Sequence, residues 1–342
     1  MAATMHDVSR LAGVSIKTVS NVINDYPYVR EETRRKVLDA IDTLGYTPNL
    51  SARSLRSGRT NVISLMIPDL RNAYFAELAD SVMRAAAERG LAVLIEQFGD
   101  DRQHEMDVLR QPRARMVDGV LYSVLTLDQG DVDLIAEMTT PVVLLGDRIF
   151  NGPRDHVTMR NTEGARAATE HLIRSGRRRI VALGAHPGEV IGSAALRLEG
   201  YTQALEAAGI PLDESLVVPV DSWHRRNGAE GMRDFLATGT QFDGLVAFND
   251  AIALGALRVL QESGLRIPED VAVVGFDDID ETQYSMPTLS TIDPGREEIA
   301  RTAVDLLIRR IEGSSEVFVP EEIAVPFRLV ERESTGTPEK SI

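Results

Sequence analysis

The sequence contains no cysteine, one tryptophan and few aromatic residues among its 342 positions. The lack of cysteine excludes disulfide frameworks, thiolate metal ligation and cysteine-based catalysis. No apolar run approaches the roughly 20 residues that a membrane-spanning helix needs. The first thirty residues also lack the basic and then apolar layout of a secretory signal, so we expect a cytoplasmic protein.

Phosphate-binding glycine loops are also missing, because neither G-x-G-x-x-G after the first predicted strand nor G-x-x-x-x-G-K-[ST] occurs. Asp277, Asp278 and Asp280 form an acidic group without a companion histidine or phosphate loop, and His186 and His224 lie too far apart for a local metal motif. We therefore predict no enzymatic activity, no cofactor and no metal site.

Charge is unevenly distributed along the chain, whose formal net charge is −15. Residues 1–60 carry nine Lys/Arg and six Asp/Glu, whereas residues 61–342 carry a net charge of −18. Salt screens charges over about 8 Å at physiological ionic strength, so a small basic module can act on nucleic acid beside an acidic body. The charge pattern thus predicts two parts with different functions.

Three short helices are predicted within residues 1–46. Thr4 can cap the first, whose apolar positions Val8, Leu11 and Ala12 have helical spacing before a stop at Gly13. Ser15 can cap the second, in which Val19, Val22 and Ile23 point inward, and a third fits residues 31–44 before Gly45. This arrangement predicts a helix-turn-helix, and a three-helix bundle without a ligand is the alternative.

The exposed face of the second predicted helix carries Lys17, Ser20, Asn21 and Asn24. Lys17 and Asn21 lie one turn apart, and lysine suits guanine whereas asparagine suits adenine in a major groove. Residues 47–61 follow with three arginines around Leu55 and Ala52. They are expected either to form a short helix on DNA, with Leu55 wedged into the minor groove, or to be a plain linker.

From residue 62, buried-looking strands alternate with helices, and the alternation restarts after Asn161. This predicts a body of two Rossmann-like lobes over residues 62–333, with lobe crossovers near 160 and 290 and a flexible tail at 334–342.

Ligands of open parallel sheets bind beyond the carboxyl ends of the strands. Five polar residues stand at those positions: Asp147, Asn249, Asp250, Asp277 and Asp278. A sugar site requires carboxylates and amides that hydrogen-bond hydroxyl groups, an arginine that donates to other hydroxyls, and an aromatic ring that packs against the sugar ring. These groups could be supplied by Asp277, Asn249, Arg197 and Trp223. Each also has an ordinary alternative as a helix cap or as packing.

Three stretches, "MHDVSRLAGVSIKTVSNVIN", "REETRRKVLDAIDTLGYTPN" and "ARSLRSGRTNVISLMIPD", resemble the amino terminus of the LacI/GalR family of bacterial transcription regulators. The resemblance continues through "RNAYFAEL", "LLGDR", "SAALRLEGYTQAL", "AFNDAIALGALRVLQESGLRIPEDVAVVGFDD" and "PTLSTID" to about Glu333. It implies an all-α helix-turn-helix module followed by an α/β body like that of periplasmic sugar-binding proteins.

The resemblance also implies site residues. It makes Ile16, Lys17 and Asn21 base readers, although Ile16 could equally be a core residue, and assigns phosphate contacts to Ser15, Thr18, Ser20, Asn24, Thr33 and Tyr46. Asn49, Ala52 and Leu55 match a hinge helix. The ligand cleft would be lined by Tyr74, Phe75, Asp147, Arg197, Trp223, Asn249 and Asp277.

Several positions depart from the family pattern. Asn21 replaces a common arginine, which leaves the operator sequence open, and Arg30 replaces a capping serine. Arg160 stands where aspartate is common, so it either faces the cleft and favours an anionic ligand or lies on the surface. Ala73, in place of proline, resembles members that respond to purines and nucleosides.

The expected function is that of a homodimeric repressor on near-palindromic operator DNA, whose affinity a small sugar lowers. A regulator corepressed by a purine or nucleoside is the alternative. A solute-binding protein is a remote one, because the export signal is missing and the first sixty residues are basic.

Overall fold

The computed structural model describes residues 3–23, 26–46, 59–110, 116–313 and 318–336. By its internal contacts the chain divides into two compact units, residues 1–61 and 62–342. No helix in these described ranges is long and apolar enough to cross a membrane. Asn24 and the predicted hinge residues Asn49, Ala52 and Leu55 lie outside the described residues.

Three helices lie in the described part of the amino-terminal unit, α1 (Met5–Ala12), α2 (Ile16–Ile23) and α3 (Glu31–Leu44). Thr4 caps α1 through a reciprocal pair of bonds with Asp7, and left-handed glycines end α1 and α3. The small core contains Val8, Val19, Val22, Val37, Ala40 and Tyr46. Leu11, one of the apolar positions with helical spacing in α1, is 53% exposed.

The first lobe of the body is a six-stranded parallel sheet with helices on both faces. Its strands are β1 (Val62–Ile67), β2 (Ala92–Gln97), β3 (Gly119–Ser123), β4 (Val142–Leu145), β5 (Asp155–Thr158) and β11 (Glu322–Ala324), in the order β11-β5-β4-β3-β1-β2. Its helices are α4 (Ala73–Ala87), α5 (Arg102–Arg110), α6 (Val132–Ala136) and α11 (Arg296–Glu312).

The second lobe repeats this plan with one antiparallel edge strand. Its strands are β6 (Ile180–Ala185), β7 (Val217–Pro219), β8 (Gly244–Ala247), β9 (Ala272–Phe276), β10 (Ser290–Asp293) and the antiparallel β12 (Arg328–Val330), in the order β12-β10-β9-β8-β6-β7. Its helices are α7 (Asn161–Arg174), α8 (Ser193–Ala207), α9 (Arg225–Ala237) and α10 (Asp250–Glu262). The predicted fold class, a helical module with a two-lobe α/β body, is confirmed.

Among the residues that the structure describes, the chain passes between the lobes three times, between β5 and α7, between β10 and α11, and between β11 and β12. Only the first two passages were expected. The segment expected to be a flexible tail from residue 334 begins instead in a short 3-10 helix, Glu333–Thr335. Ser334 there is fully buried and donates to the carbonyl oxygen of Val273 at 2.6 Å, which holds this end against β9.

Helices in the second lobe pack backbone against backbone at glycines. A Cβ atom on Gly200 of α8 would overlap the carbonyl oxygen of Thr162 on α7. A Cβ atom on Gly255 of α10 would likewise overlap the carbonyl oxygen of Arg225 on α9. These contacts leave no room for a methyl group unless the helices separate.

We expect Gly200→Ala to lower the free energy of unfolding of the body by about 1–3 kcal/mol, because overpacking displaces α7 from α8. Glu199→Ala, on the exposed side of the same helix, is the matched control and should change it by less than about 0.5 kcal/mol. Circular dichroism during thermal unfolding measures both. Equal melting temperatures for the two variants would contradict the packing argument.

Candidate functional site

The exposed side of α2 presents polar groups while its opposite side is buried. Val19 and Val22 are in the core, Lys17 is exposed and Asn21 is half-buried. Ser15 caps this helix, since its hydroxyl accepts from the backbone N–H of Thr18 at 3.1 Å. The first turn of α2 therefore offers backbone donors and small hydroxyls beside Lys17, a combination that suits phosphate and base edges.

The other residues predicted to contact DNA differ in exposure. Ile16, Ser20 and Thr33 are half-buried. Tyr46 is only 8% exposed and packs in the core of the three helices, so its ring serves packing.

An exposed aromatic pair beside α2 was not singled out from the sequence. Tyr26 and Tyr28 are 48% and 84% exposed, and their rings meet edge to face at 5.5 Å. The backbone N–H of Tyr26 donates to the carbonyl oxygen of Asn21 at 2.9 Å. Two tyrosines flanking Pro27 directly after the helix predicted to read bases were the available signal.

Between the two sheets of the body lies a cavity of about 760 Å³, at the carboxyl ends of β1, β3 and β4 and of β6, β8 and β9. The structure places all the residues predicted to bind ligand around it: Tyr74, Phe75, Asp147, Arg197, Trp223, Asn249 and Asp277. This interlobe cleft is where the two lobes present their strand ends to each other.

Arg197 of α8 is the central cation of the cleft and is only 2% exposed. Its Nε donates to Oδ1 of Asn161 at 2.7 Å, and its terminal nitrogens reach the Phe248 carbonyl oxygen and the Met159 sulfur. The guanidinium also lies 3.6 Å from the ring centre of Phe276. Burial lowers the pKa of Arg197, opposed chiefly by the nearby Asp277 carboxylate.

Asp277 directly follows β9 and is 4% exposed. Its φ of 122° lies in a region that L-residues rarely adopt, so the local backbone is strained where the cleft needs this side chain. The carboxylate lies 3.7 Å from Arg197 and accepts no hydrogen bond from the described residues. Burial raises the pKa of Asp277 well above its ordinary value.

Asn249 and Trp223 are fixed by the protein before any ligand arrives. Asn249 caps α10, with Oδ1 accepting from the Ile252 N–H at 2.8 Å, and its Nδ2 donates to the Trp223 carbonyl oxygen at 3.2 Å. The Trp223 indole donates to the Gly184 carbonyl oxygen at 3.0 Å. Asn249 is therefore a helix cap, as the alternative prediction had it, and it also lines the cleft.

Asp147 joins the lobes rather than standing free. It accepts from the Thr158 hydroxyl at 2.7 Å and from the Ser193 hydroxyl of the second lobe at 2.6 Å. On the opposite wall, Tyr74 and Phe75 open α4 and meet edge to face at 5.3 Å. Burial raises the pKa of Tyr74, so its hydroxyl remains protonated at neutral pH.

Two polar pairs across the rim of the cleft were missed from the sequence. His224 Nε2 lies 3.3 Å from Asp69 of the first lobe. Arg148 of the first lobe binds the Glu189 carboxylate at 3.0 Å and the Ile191 carbonyl oxygen at 2.7 Å. Asp69 and Arg148 follow β1 and β4, so the rule of strand ends could have found them.

Three residues considered from the sequence lie outside the cleft lining. Arg160 is exposed, pairs with Glu163 at 3.2 Å and does not line the cavity. Of its two predicted positions, the structure therefore supports the one on the surface. Asp278 pairs with Arg332 at 2.6 Å. Asp250 is fully buried and accepts from the Thr291 hydroxyl at 2.6 Å and the Ile279 N–H at 3.1 Å.

Comparisons with known proteins agree with this division of the chain. Residues 4–49 match the model of bacterial regulatory proteins of the lacI family, and residues 169–335 match that of periplasmic binding protein-like domains. HTH-type transcriptional regulator RegA of Clostridium saccharobutylicum is 34% identical and covers 98% of this chain and 100% of its own. The ribose operon repressor of Escherichia coli K12 is 35% identical, covering 90% and 93%.

Solved structures agree as well. A LacI-family putative transcriptional regulator from Sanguibacter keddieii is 49% identical with a TM-score of 0.75, covering 82% of this chain and all of its own. The lac repressor dimer bound to operator and an anti-inducer is 27% identical with a TM-score of 0.85, covering 98% of this chain and all of its own.

Asp250 should make stability depend on pH. Burial raises its pKa to about 7 in the folded protein from an ordinary value of 3.8. Between these values the folded state keeps a proton that the unfolded chain has lost, so the Asp250 contribution to the free energy of unfolding falls as the pH rises from about 4 to 7. We expect Asp250→Asn to reduce this fall, measured by urea unfolding at pH 5 and pH 7.5.

Asp234→Asn, at an exposed position of α9, is the matched control and should keep the pH dependence of the unsubstituted protein. An unchanged pH dependence in Asp250→Asn would show that the buried carboxyl does not titrate in this range.

Proposed function

The chain belongs to the LacI family of bacterial regulatory proteins, and we propose that it is a homodimeric repressor that a neutral sugar in the interlobe cleft releases from operator DNA. It acts in the cytoplasm by binding alone and carries out no reaction. The proposal of a sugar ligand rests on one observation, the buried Asp277 carboxylate. It lies beside Arg197 and accepts no hydrogen bond from the described residues.

DNA binding is assigned to the amino-terminal unit. Its exposed Lys17 and half-buried Asn21 lie one turn apart on α2, and residues 1–60 are the basic part of an otherwise acidic chain. The acidic body repels phosphates, so it contributes regulation rather than affinity. One module contacts few base pairs, and two copies on a near-palindrome supply the missing specificity.

Exposed apolar side chains on the body support the dimer. Met83 of α4 and Leu94 of the edge strand β2 are 48% and 43% exposed in one lobe, and Tyr284 and Met286 are 78% and 84% exposed in the other. Contiguous apolar patches mark surfaces that a partner covers, whereas isolated exposed apolar residues do not, so the assignment rests on these residues occurring in pairs on each lobe. We therefore assign the subunit contacts to α4 with β2 and to α10 with the segment after β9, consistent with the dimeric lac repressor among the similar structures.

Sugar recognition follows from which hydrogen-bonding groups remain available. Within the described residues the Asp277 carboxylate accepts no hydrogen bond and lies 3.7 Å from Arg197, and Arg197 has five N–H donors of which the protein uses only part. Together they match adjacent hydroxyls, one donating to the carboxylate and the other accepting from the guanidinium. Trp223, whose N–H is already bonded to Gly184, lines the cleft with the Arg197 guanidinium 5.2 Å from its ring centre, and it supplies apolar contact to a sugar ring.

The charge of the lining favours a neutral ligand. Six carboxylates and four guanidiniums surround the cavity, so an added phosphate would meet a net negative site. Arg160, which could have supplied a compensating charge, is outside the lining. A purine is disfavoured because Tyr74 and Phe75 meet at 71° and form no flat slot for a base.

Release requires that the sugar bind one arrangement of the lobes better than another. Coupling of this kind amounts to about 1–3 kcal/mol, or roughly 5- to 150-fold in affinity. The three crossovers and the Asp147 to Ser193 bond join the lobes around the ligand, so a sugar between them changes how they meet.

We expect Lys17→Ala to weaken operator binding by roughly 5- to 150-fold, because a base contact contributes about 1–3 kcal/mol. Lys36→Ala is the matched control, since Lys36 is equally cationic but pairs with Glu32 on α3 at 2.8 Å. Fluorescence anisotropy with a labelled near-palindromic duplex at fixed salt measures both. Equal losses of operator affinity in the two variants would mean that Lys17 contributes only its positive charge and no base contact.

We expect a neutral sugar to lower operator affinity by roughly 5- to 150-fold in the same assay. Asp277→Asn should bind the operator normally but lose this response, because a neutral amide oxygen accepts from the sugar hydroxyl about half as strongly as an ionised carboxylate. Asp280→Asn, at an exposed position of the same segment, is the control that keeps it. An operator affinity that rises with ligand, or a response only to a purine, would overturn the proposal.

A further inference from the structure

We propose that the cleft holds a neutral glycoside of at least two sugar units, with one ring against Asp277 and Arg197 and the next toward the rim. This inference rests on the proposed function and concerns the size of its ligand. It is argued from the volume of the cavity, from the closed state of its rim and from a second set of unpaired polar groups.

The cavity is larger than one sugar ring requires. Its volume is about 760 Å³. A hexose of twelve heavy atoms displaces on the order of 180 Å³ if each takes roughly half of the 30 Å³ share of a liquid water molecule. A single ring would therefore leave most of the polar cavity to water.

This volume is not that of a widely open cleft, because the lobes already touch at several points around the cavity. His224 lies 3.3 Å from Asp69, and Arg148 lies 3.0 Å from Glu189. At the inner end, Asp147 accepts from Ser193 at 2.6 Å. Each pair joins one lobe to the other, so the cavity volume is that of an arrangement in which opposite walls are in contact.

Polar groups in the cleft fall into two sets. The inner set surrounds Arg197 and Asp277 and is largely bonded to the protein. The outer set comes from the segments after β2 and after β7, and it includes Asp100, Asp221, Arg226 and Asn227. Within the described residues, no side-chain hydrogen bond or ion pair engages the side chains of Asp221, Arg226 or Asn227, which line the cavity.

The outer set contains both acceptors and donors and comes from both lobes. Asp100 belongs to the first lobe, and Asp221, Arg226 and Asn227 belong to the second. Hydroxyl groups both donate and accept, so a second sugar ring can use carboxylates, an amide and a guanidinium together. An anion would use only Arg226 and Asn227 and would meet the two carboxylates.

The test uses Trp223, the single tryptophan of the chain, as a fluorescence reporter in the cleft. The full-length protein is titrated with a panel of neutral disaccharides and, separately, with their component monosaccharides. We expect one disaccharide to bind at least tenfold more tightly than either of its components. Equal affinity for a component monosaccharide would overturn the inference while leaving the proposed sugar-responsive repressor intact.

Two variants locate the second ring. Arg226→Ala should reduce affinity for that disaccharide at least fivefold and leave monosaccharide affinity unchanged. Arg233→Ala, at an exposed position of the same helix and outside the cavity lining, is the matched control and should change neither. Equal disaccharide affinity in both variants would contradict the outer position of the second ring. Failure of every sugar to bind would instead refute the proposed function itself.

Discussion

The guanidinium of Arg197 is a buried charge, and much of the cleft is arranged to stabilise it. A buried cation is costly unless it is paired and hydrogen-bonded. Its partners come from the lobe crossover at Asn161, from the end of β8 at Phe248 and from the end of β9 at Asp277. The carboxyl ends of neighbouring strands are therefore held around one side chain, and both Arg197 and Asp277 line the cavity.

The same arrangement links ligand binding to the relation between the lobes. Arg197, Asp277 and Trp223 belong to the second lobe, while Tyr74 and Phe75 belong to the first, so a ligand in the cleft contacts both. Because the lobes are joined by three crossovers and by polar pairs at the rim, few arrangements are available to them. A ligand that favours one arrangement shifts the population of the whole body, and its differential affinity sets the size of that shift.

Much of the fold could be predicted from the sequence because apolar runs such as Val62–Ile67 and Ala272–Phe276 are buried strands. Strand Asp155–Thr158 was not predicted, since its polar residues become buried only through partners distant in sequence. Arg310 neutralises Asp155 with two bonds of 2.7 and 2.8 Å. The pair of Asp69 with His224 was hidden for the same reason, because it forms only once the lobes meet. Residues at strand ends were recognisable, but whether a side chain such as Arg160 faces the cleft depends on the helix that follows.

The most direct test is thermodynamic reciprocity. If sugar binding weakens operator binding, then operator binding must weaken sugar binding by the same factor. Sugar affinity can be measured from Trp223 fluorescence with the protein free and with it saturated by operator duplex. We expect saturating operator to raise the dissociation constant of the sugar. The factor should equal the one by which the sugar lowers operator affinity. An identical sugar affinity in the presence and absence of operator would contradict the view that the cleft controls DNA binding.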